Sequence, residues 1–183
     1  MATTVNNKYK TFVQRLFASF IDWLVFLPVY IIEEIFSDKN NKWLFIGFSL
    51  FYTISWLLYC AIGHGKYGQT VGKKVMKIKV LGLDEKGLIG YQRAFLRESV
   101  WFFVSIAGIT WLIIQSQGVA YLSEIDGINY ANMGMFISLA WLLIELVTML
   151  SNPKRRAVHD FLAGSVVIDM KEAQKEEMSK VTN

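Results

Sequence analysis

FVQRLFASFIDWLVFLPVYIIEEIF, residues 12–36, is an apolar run broken near its start by Arg15 and Asp22. An α-helix needs about 20 apolar residues to cross about 30 Å of hydrocarbon, so this run is long enough to span a bilayer. Arg15 and Asp22 are seven residues apart. On a helix that separates them by about 20° in azimuth and about 10.5 Å along the axis, which puts them on one face. Ser19 falls on the same stripe, so the helix carries a polar seam that lipid would not solvate. A carboxylate in mid-span costs about 2.5–3.5 kcal/mol to insert, and such residues face partners or water-filled cavities. The seam is therefore expected to point inward. Pro28 removes the hydrogen bond that the Leu24 carbonyl would accept, which predicts a kink in the outer half of the helix.

Three further apolar runs follow, at 43–62, 95–115 and 133–150, and each is read as a span. Of the 19 Lys and Arg, only Lys39 and Lys42 lie in the first connection, and none lies between Ile113 and Asn152. The bias of basic residues toward the cytoplasmic side then places both termini and the 63–93 connection inside. The expected fold is an all-α membrane protein, a four-helix transmembrane bundle with a small cytoplasmic β element. Its transmembrane domain covers residues 1–170, with a flexible tail over 171–183.

The β element rests on two segments. Met76, Ile78 and Val80 alternate with Lys77 and Lys79, the period of a strand with one face in water, and Ser165–Ile168 is a second candidate past Gly164. The two are expected to pair. A shift of 88 residues lays 154–168 over 66–80 and puts Val166–Ile168 on Ile78–Val80, which suggests that the chain is a parallel repeat of two halves. Beyond Met170 the sequence is mixed in charge and almost free of large apolar groups, the pattern of a frayed tail.

A net charge of +4 would suggest nucleic acid in a soluble protein, but here the charge sits beside the spans and answers to topology and anionic headgroups. Nucleic acid is therefore set aside. The single cysteine, Cys60, has no partner for a disulfide or a metal. Gly68-Gln69-Thr70-Val71-Gly72-Lys73 falls short of a phosphate-binding loop, since three residues separate the glycines and Lys74 follows Lys73. No nucleophile–base pair, metal cluster or cofactor loop is present, so neither an enzyme nor a cofactor is expected. In the fourth run, Gly134, Ser138 and Glu145 share one side. Glu145 lies at a depth between Arg15 and Asp22, so an Arg15–Asp22–Glu145 network is expected. His159 and Asp160 follow a basic turn at the cytoplasmic mouth, where a histidine with an ordinary pKa of about 6.5 relays protons near neutrality. The seams Ser49–Thr53–Trp56–Cys60 and Arg97–Trp101–Ser105–Gly108 are read as surfaces for close helix contact. Glu124 and Asp126 make the 116–132 loop acidic.

Arg15 and Asp22, the segment GQTVGKKVMKIKVLGLDEKG at 68–87, AFLRES at 94–99 and RRAVHDFLAG at 155–164 together resemble the RDD family of small bacterial membrane proteins. The resemblance covers about residues 10–170. It maps the Arg and two Asp of the family name onto Arg15, Asp22 and Asp160, and it implies a short helical bundle in the bacterial cell membrane. Some members are described as cation/proton antiporters. Two functions are weighed on this basis. In the first, the protein exchanges a monovalent cation for protons or conducts protons, with Asp22 as the exchange site, Arg15 biasing it, and Glu145, His159 or Asp160 completing the path; four spans are few for two gates, so a homo-oligomer is expected. In the second, the protein is a non-transporting assembly or interaction factor. Arg15 then pairs with Asp160, and Asp22 with a hydroxyl, an amide or Arg97.

Overall fold

The computed structural model describes residues 6–36, 42–116 and 130–181. Four long helices dominate it: α1 (Phe12–Phe36), α2 (Lys42–Ile62), α4 (Gly90–Ser116) and α5 (Tyr130–Leu150). Asn7–Ile32 and Trp43–Tyr67 are long and apolar enough to cross a membrane. Pro28 lies inside α1, which continues to Phe36. Most of the 116–132 loop, with Glu124 and Asp126, lies outside the described residues, as do the surroundings of Gly134 and the side chain of Ser138.

The segment after α2 is built from short elements. A π-helical turn over Gly63–Tyr67 leads into α3 (Val71–Val75) and β1 (Ile78–Gly82). After α5 come α6 (Val158–Leu162), β2 (Ser165–Asp169) and α7 (Met170–Val181). The two strands pair antiparallel, with Val80 opposite Val167 and Ile78 opposite Asp169. Ile78, Val80 and Val167 pack on Ala18, Ala61, Ile89 and Ala94 at the helix ends. The other face was expected to be wet, but Leu81, Val166 and Ile168 are covered by Tyr9 and by Ala173 of α7. Alternation in β1 therefore marks two packed faces.

The expected frayed tail is corrected in the same way: residues 170–181 form α7. Asp169 caps its start, accepting from the Lys171 backbone N–H at 2.8 Å. Glu172–Lys175 and Glu176–Lys180 pairs support its exposed face. Low apolar content was a poor guide because this helix is held by its ends and by Ala173. A small ionic cluster ties it down, with Lys8 2.9 Å from Glu85 and 3.3 Å from Glu176. Glu85 also accepts from the Tyr9 hydroxyl at 2.6 Å and pairs with Lys154 at 2.9 Å. Burial opposes ionisation of Glu85, but these donors outweigh it and hold its pKa at about 2.

The boundaries of α2, α3 and β1 match those of α5, α6 and β2 as the expected repeat requires, whereas α1 and α4 do not fall on each other under the shifts that align those. Shifted by 87 residues, α3 falls on α6 and β1 on β2, one residue from the register expected over these segments. Lys77 and Gly164, equivalent under that shift, both end their turns at φ 57°. Thr70 and Ala157, which precede the two short helices, are both extended. A shift of 88 lays α2 on α5 end for end. Because Val80 pairs with its own equivalent, Val167, the antiparallel ladder has a pseudo-two-fold axis through that pair.

Candidate functional site

The first centre forms where the 68–75 segment meets α1. Gly68, at φ 71°, reverses the chain after the π-helical turn, and its backbone carbonyl accepts from Val80 N–H at 2.8 Å. Thr70 then donates its hydroxyl to Asp22 Oδ2 at 2.6 Å. The Gly72 backbone N–H donates to Asp22 Oδ1 at 2.7 Å, and the Tyr59 hydroxyl donates to the same oxygen at 2.5 Å. Tyr59 in turn accepts from Val71 N–H at 2.9 Å. A Cβ at Gly72 would overlap the Ala18 carbonyl oxygen, so only glycine lets the loop lie this close to α1. The glycine loop that falls short of a phosphate site thus cradles the chain's own carboxylate with its backbone and side chains. Asp22 is 3% exposed, and its partners are neutral donors.

The second centre is Asp160, fully buried on α6. Arg15 of α1 reaches its Oδ2 and Arg97 of α4 its Oδ1, both at 2.6 Å. Ala157 N–H donates to Oδ2 at 3.1 Å and the Ser165 hydroxyl to Oδ1 at 3.2 Å. Burial alone would raise the Asp160 pKa, but the two guanidinium charges hold it well below the usual carboxylate range. Arg15 is further fixed by donating to Thr11 Oγ1 and to the Arg155 carbonyl. The expected Arg15–Asp22–Glu145 network does not form. Arg15 is committed to Asp160, because α6 folds back beneath the helices and brings a fully buried acid within its reach.

Between α1, α2, α4 and α5 lies a cavity of about 580 Å³, whose lining includes Asp22, Lys73, Glu98 and Glu145. Thr53, Trp56 and Cys60 of α2, and Arg97, Trp101 and Ser105 of α4, line it as well. The seams expected to make close helix contact thus border the cavity, while α2 and α4, which carry them, pack closely against each other. Two histidine–glutamate pairs border the space. His159 Nδ1 is 2.9 Å from Glu145, and its Nε2 is 2.9 Å from Arg97 Nη2. A guanidinium only donates, so Nε2 accepts and Nδ1 gives its proton to Glu145. His64, 2% exposed, has Nδ1 3.0 Å from Glu98 Oε1, but neither of its ring nitrogens makes a hydrogen bond among the described residues.

Lys73, on α3, also lines the cavity, and its ammonium makes no hydrogen bond and no ion pair among the described residues. Burial lowers its pKa, and the Arg97 charge adds to that, against the opposing pull of Glu98 and Asp22. Of the residues expected in the site, Arg15 and Asp160 are bonded to each other, Glu145 and His159 form a second pair, and Asp22 stands apart in the loop cradle. Lys73 and Glu98 were missed. Glu98 lies within the 95–115 run, so the argument applied to Asp22, a carboxylate inside a span, would have found it. Lys73 reads as one more loop lysine until α3 folds under the helices.

The family model described as the RDD family matches residues 9–164. The chain is also similar to the uncharacterized membrane protein YteJ of Bacillus subtilis, 22% identical over 177 residues that cover 93% of this chain and 87% of that protein. No solved structure matches.

Proposed function

The chain belongs to the RDD family and is a membrane protein, and from that premise we propose that it exchanges a monovalent cation for protons across the bacterial cell membrane through the interhelical cavity. The observation that carries this reading is the ionisable lining of the cavity, in which Glu98 and Glu145 each carry a histidine partner. A carboxylate facing such a space holds either a cation or a proton, and alternate exposure then exchanges them. In this reading all four long helices span, since the sheet and the basic turns share one end of the bundle, and both termini are cytoplasmic. A homo-oligomer supplies the second gate.

Glu98 and Glu145 take the part expected of Asp22, whose oxygens already hold the 68–75 loop. Purified protein in liposomes tests the reading through dissipation of a pH gradient on adding Na⁺, K⁺ or Li⁺. Cation-dependent dissipation that falls at least tenfold in Glu98→Gln and Glu145→Gln supports it. A second reading, a non-transporting assembly factor, is favoured by the closure of the Asp22 and Asp160 centres: Asp22 bonds two hydroxyls and an amide, and Arg15 bonds Asp160, the pairings that reading calls for. Folded wild-type protein that leaves the gradient intact with every cation selects it.

A further inference from the structure

We propose that Lys73 carries the exchanged proton and that Glu98 receives the cation which the lysine, on losing that proton, admits. The inference rests on the exchange reading above and names the groups that perform it. Under the 87-residue shift, Lys73 of α3 is the equivalent of Asp160 of α6. The two positions are charge-inverted. Asp160 lies between Arg15 of α1 and Arg97 of α4, while Lys73 lies in the field of Asp22 of α1 and Glu98 of α4. They differ in closure. Asp160 is bonded to both arginines, whereas the Lys73 ammonium has no bonded partner among the described residues and lines the cavity.

Of the two carboxylates whose charge acts on Lys73, Asp22 and Glu98, Glu98 is the one left to take a cation. Asp22 on α1 has both oxygens occupied by Tyr59, Thr70 and Gly72. Arg15 on the same helix is spent on Asp160, and Cys60 on α2 is buried; Glu145 holds His159 through Oε1 and keeps an unbonded Oε2, but it is not among the charges that act on Lys73. Arg97 on α4 is a fixed cation bonded to Asp160, Ser165 and His159. Glu98 Oε1 lies 3.0 Å from Nδ1 of His64 on the π-helical turn and 3.8 Å from Nε of Arg97, and its Oε2 accepts no hydrogen bond among the described residues. Among the described residues, an unbonded oxygen of Glu98 and the unbonded Lys73 ammonium thus border one cavity.

With Arg97 alongside, a cation at Glu98 and a proton on Lys73 are mutually repulsive in a space where charges interact strongly. The exchange balances as follows. One N–H bond of the Lys73 ammonium breaks, its electron pair stays on nitrogen as the amine lone pair, and the proton leaves to water as one cation enters at Glu98. The charge of the site is unchanged, which is the condition for one-for-one exchange. Burial of Lys73, which disfavours its charged form, assists the release.

The test compares wild type with Lys73→Met and Lys73→Gln, all shown to be folded by size-exclusion chromatography, for cation-dependent flux in liposomes and for proton release into weakly buffered detergent on adding Na⁺, K⁺ or Li⁺. In wild type the half-saturating cation concentration should fall about tenfold per pH unit of rise while the amine is protonated, because proton and cation compete for one charge. Wild type should release one proton per bound cation, and whichever variant folds should lose both the release and the slope. A wild type that exchanges cations without the slope, or a folded variant that keeps slope and release, overturns the assignment to Lys73 and leaves the exchange reading standing. A wild type with no cation-dependent flux overturns both.

Discussion

Asp160 and Lys73 occupy equivalent places in the two halves of the chain, yet one is closed and the other open. Asp160 has a guanidinium on each oxygen, a backbone N–H and a hydroxyl, with the His159 ring 3.7 Å away, and it is fully buried beneath the helices. Lys73 has opposite charges nearby but no bond to either, and it borders the cavity. The difference teaches that charge alone does not mark a working site. A buried charge with every partner in place is costly to disturb and holds elements together, whereas a half-buried charge without one, as at Lys73, is open to a ligand, a proton or water.

The comparison predicts unequal costs. Removing Asp160 as Asp160→Ala leaves two guanidinium groups buried without their acid, and breaking a buried pair in this way costs about 3–5 kcal/mol. Thermal melting in detergent should show the largest loss here, and a melt within a degree or two of wild type would remove Asp160 as the clasp. Gly72→Ala should come next, at about 1–3 kcal/mol, because the new methyl overlaps the Ala18 carbonyl and lifts the loop off Asp22. Asp22→Asn keeps one acceptor oxygen and loses the charge-assisted bonds, a cost of about 1.5–3 kcal/mol to the loop. Limited proteolysis within 63–75 should report it, with faster cleavage expected.

Lys73→Met should go the other way, leaving the melting temperature unchanged or raised, since it removes an ammonium that no acceptor compensates. A large drop there would show that Lys73 is a second clasp and would erase the contrast. The smallest effect is expected at the ionic cluster of the amino-terminal turn. Glu85 has its folded pKa depressed to about 2, so it stabilises the fold above about pH 4.5, and that contribution is lost as pH falls toward 2. Acid unfolding of Glu85→Gln, followed by circular dichroism, should therefore differ from wild type at neutral pH by about 1 kcal/mol or less and converge with it near pH 2. An undiminished difference at that pH would place the stabilisation elsewhere.

Much of the molecule is legible in the sequence. The four long helices, the strand pair and the polar seam of the first helix follow from apolar length and period, because burial along one element is a local property of the chain. Asp22 was legible as buried and partnered, since an acid in an apolar helix has few alternatives. Its partners were not legible: Thr70 and Gly72 lie about 50 residues away in a loop whose approach depends on a missing Cβ. Nor was the helical tail, because α7 is held by Asp169, Lys8 and Ala173 and not by an apolar stripe of its own.

By itself the sequence determined the helical membrane class, the family and the residues that water and lipid would both reject. Which of those residues close on one another was decided only by the tertiary structure. Charge and burial tendency are written residue by residue, whereas a bond between Arg15 and Asp160, or its absence at Lys73, depends on where two short helices 87 residues apart come to rest beneath the bundle.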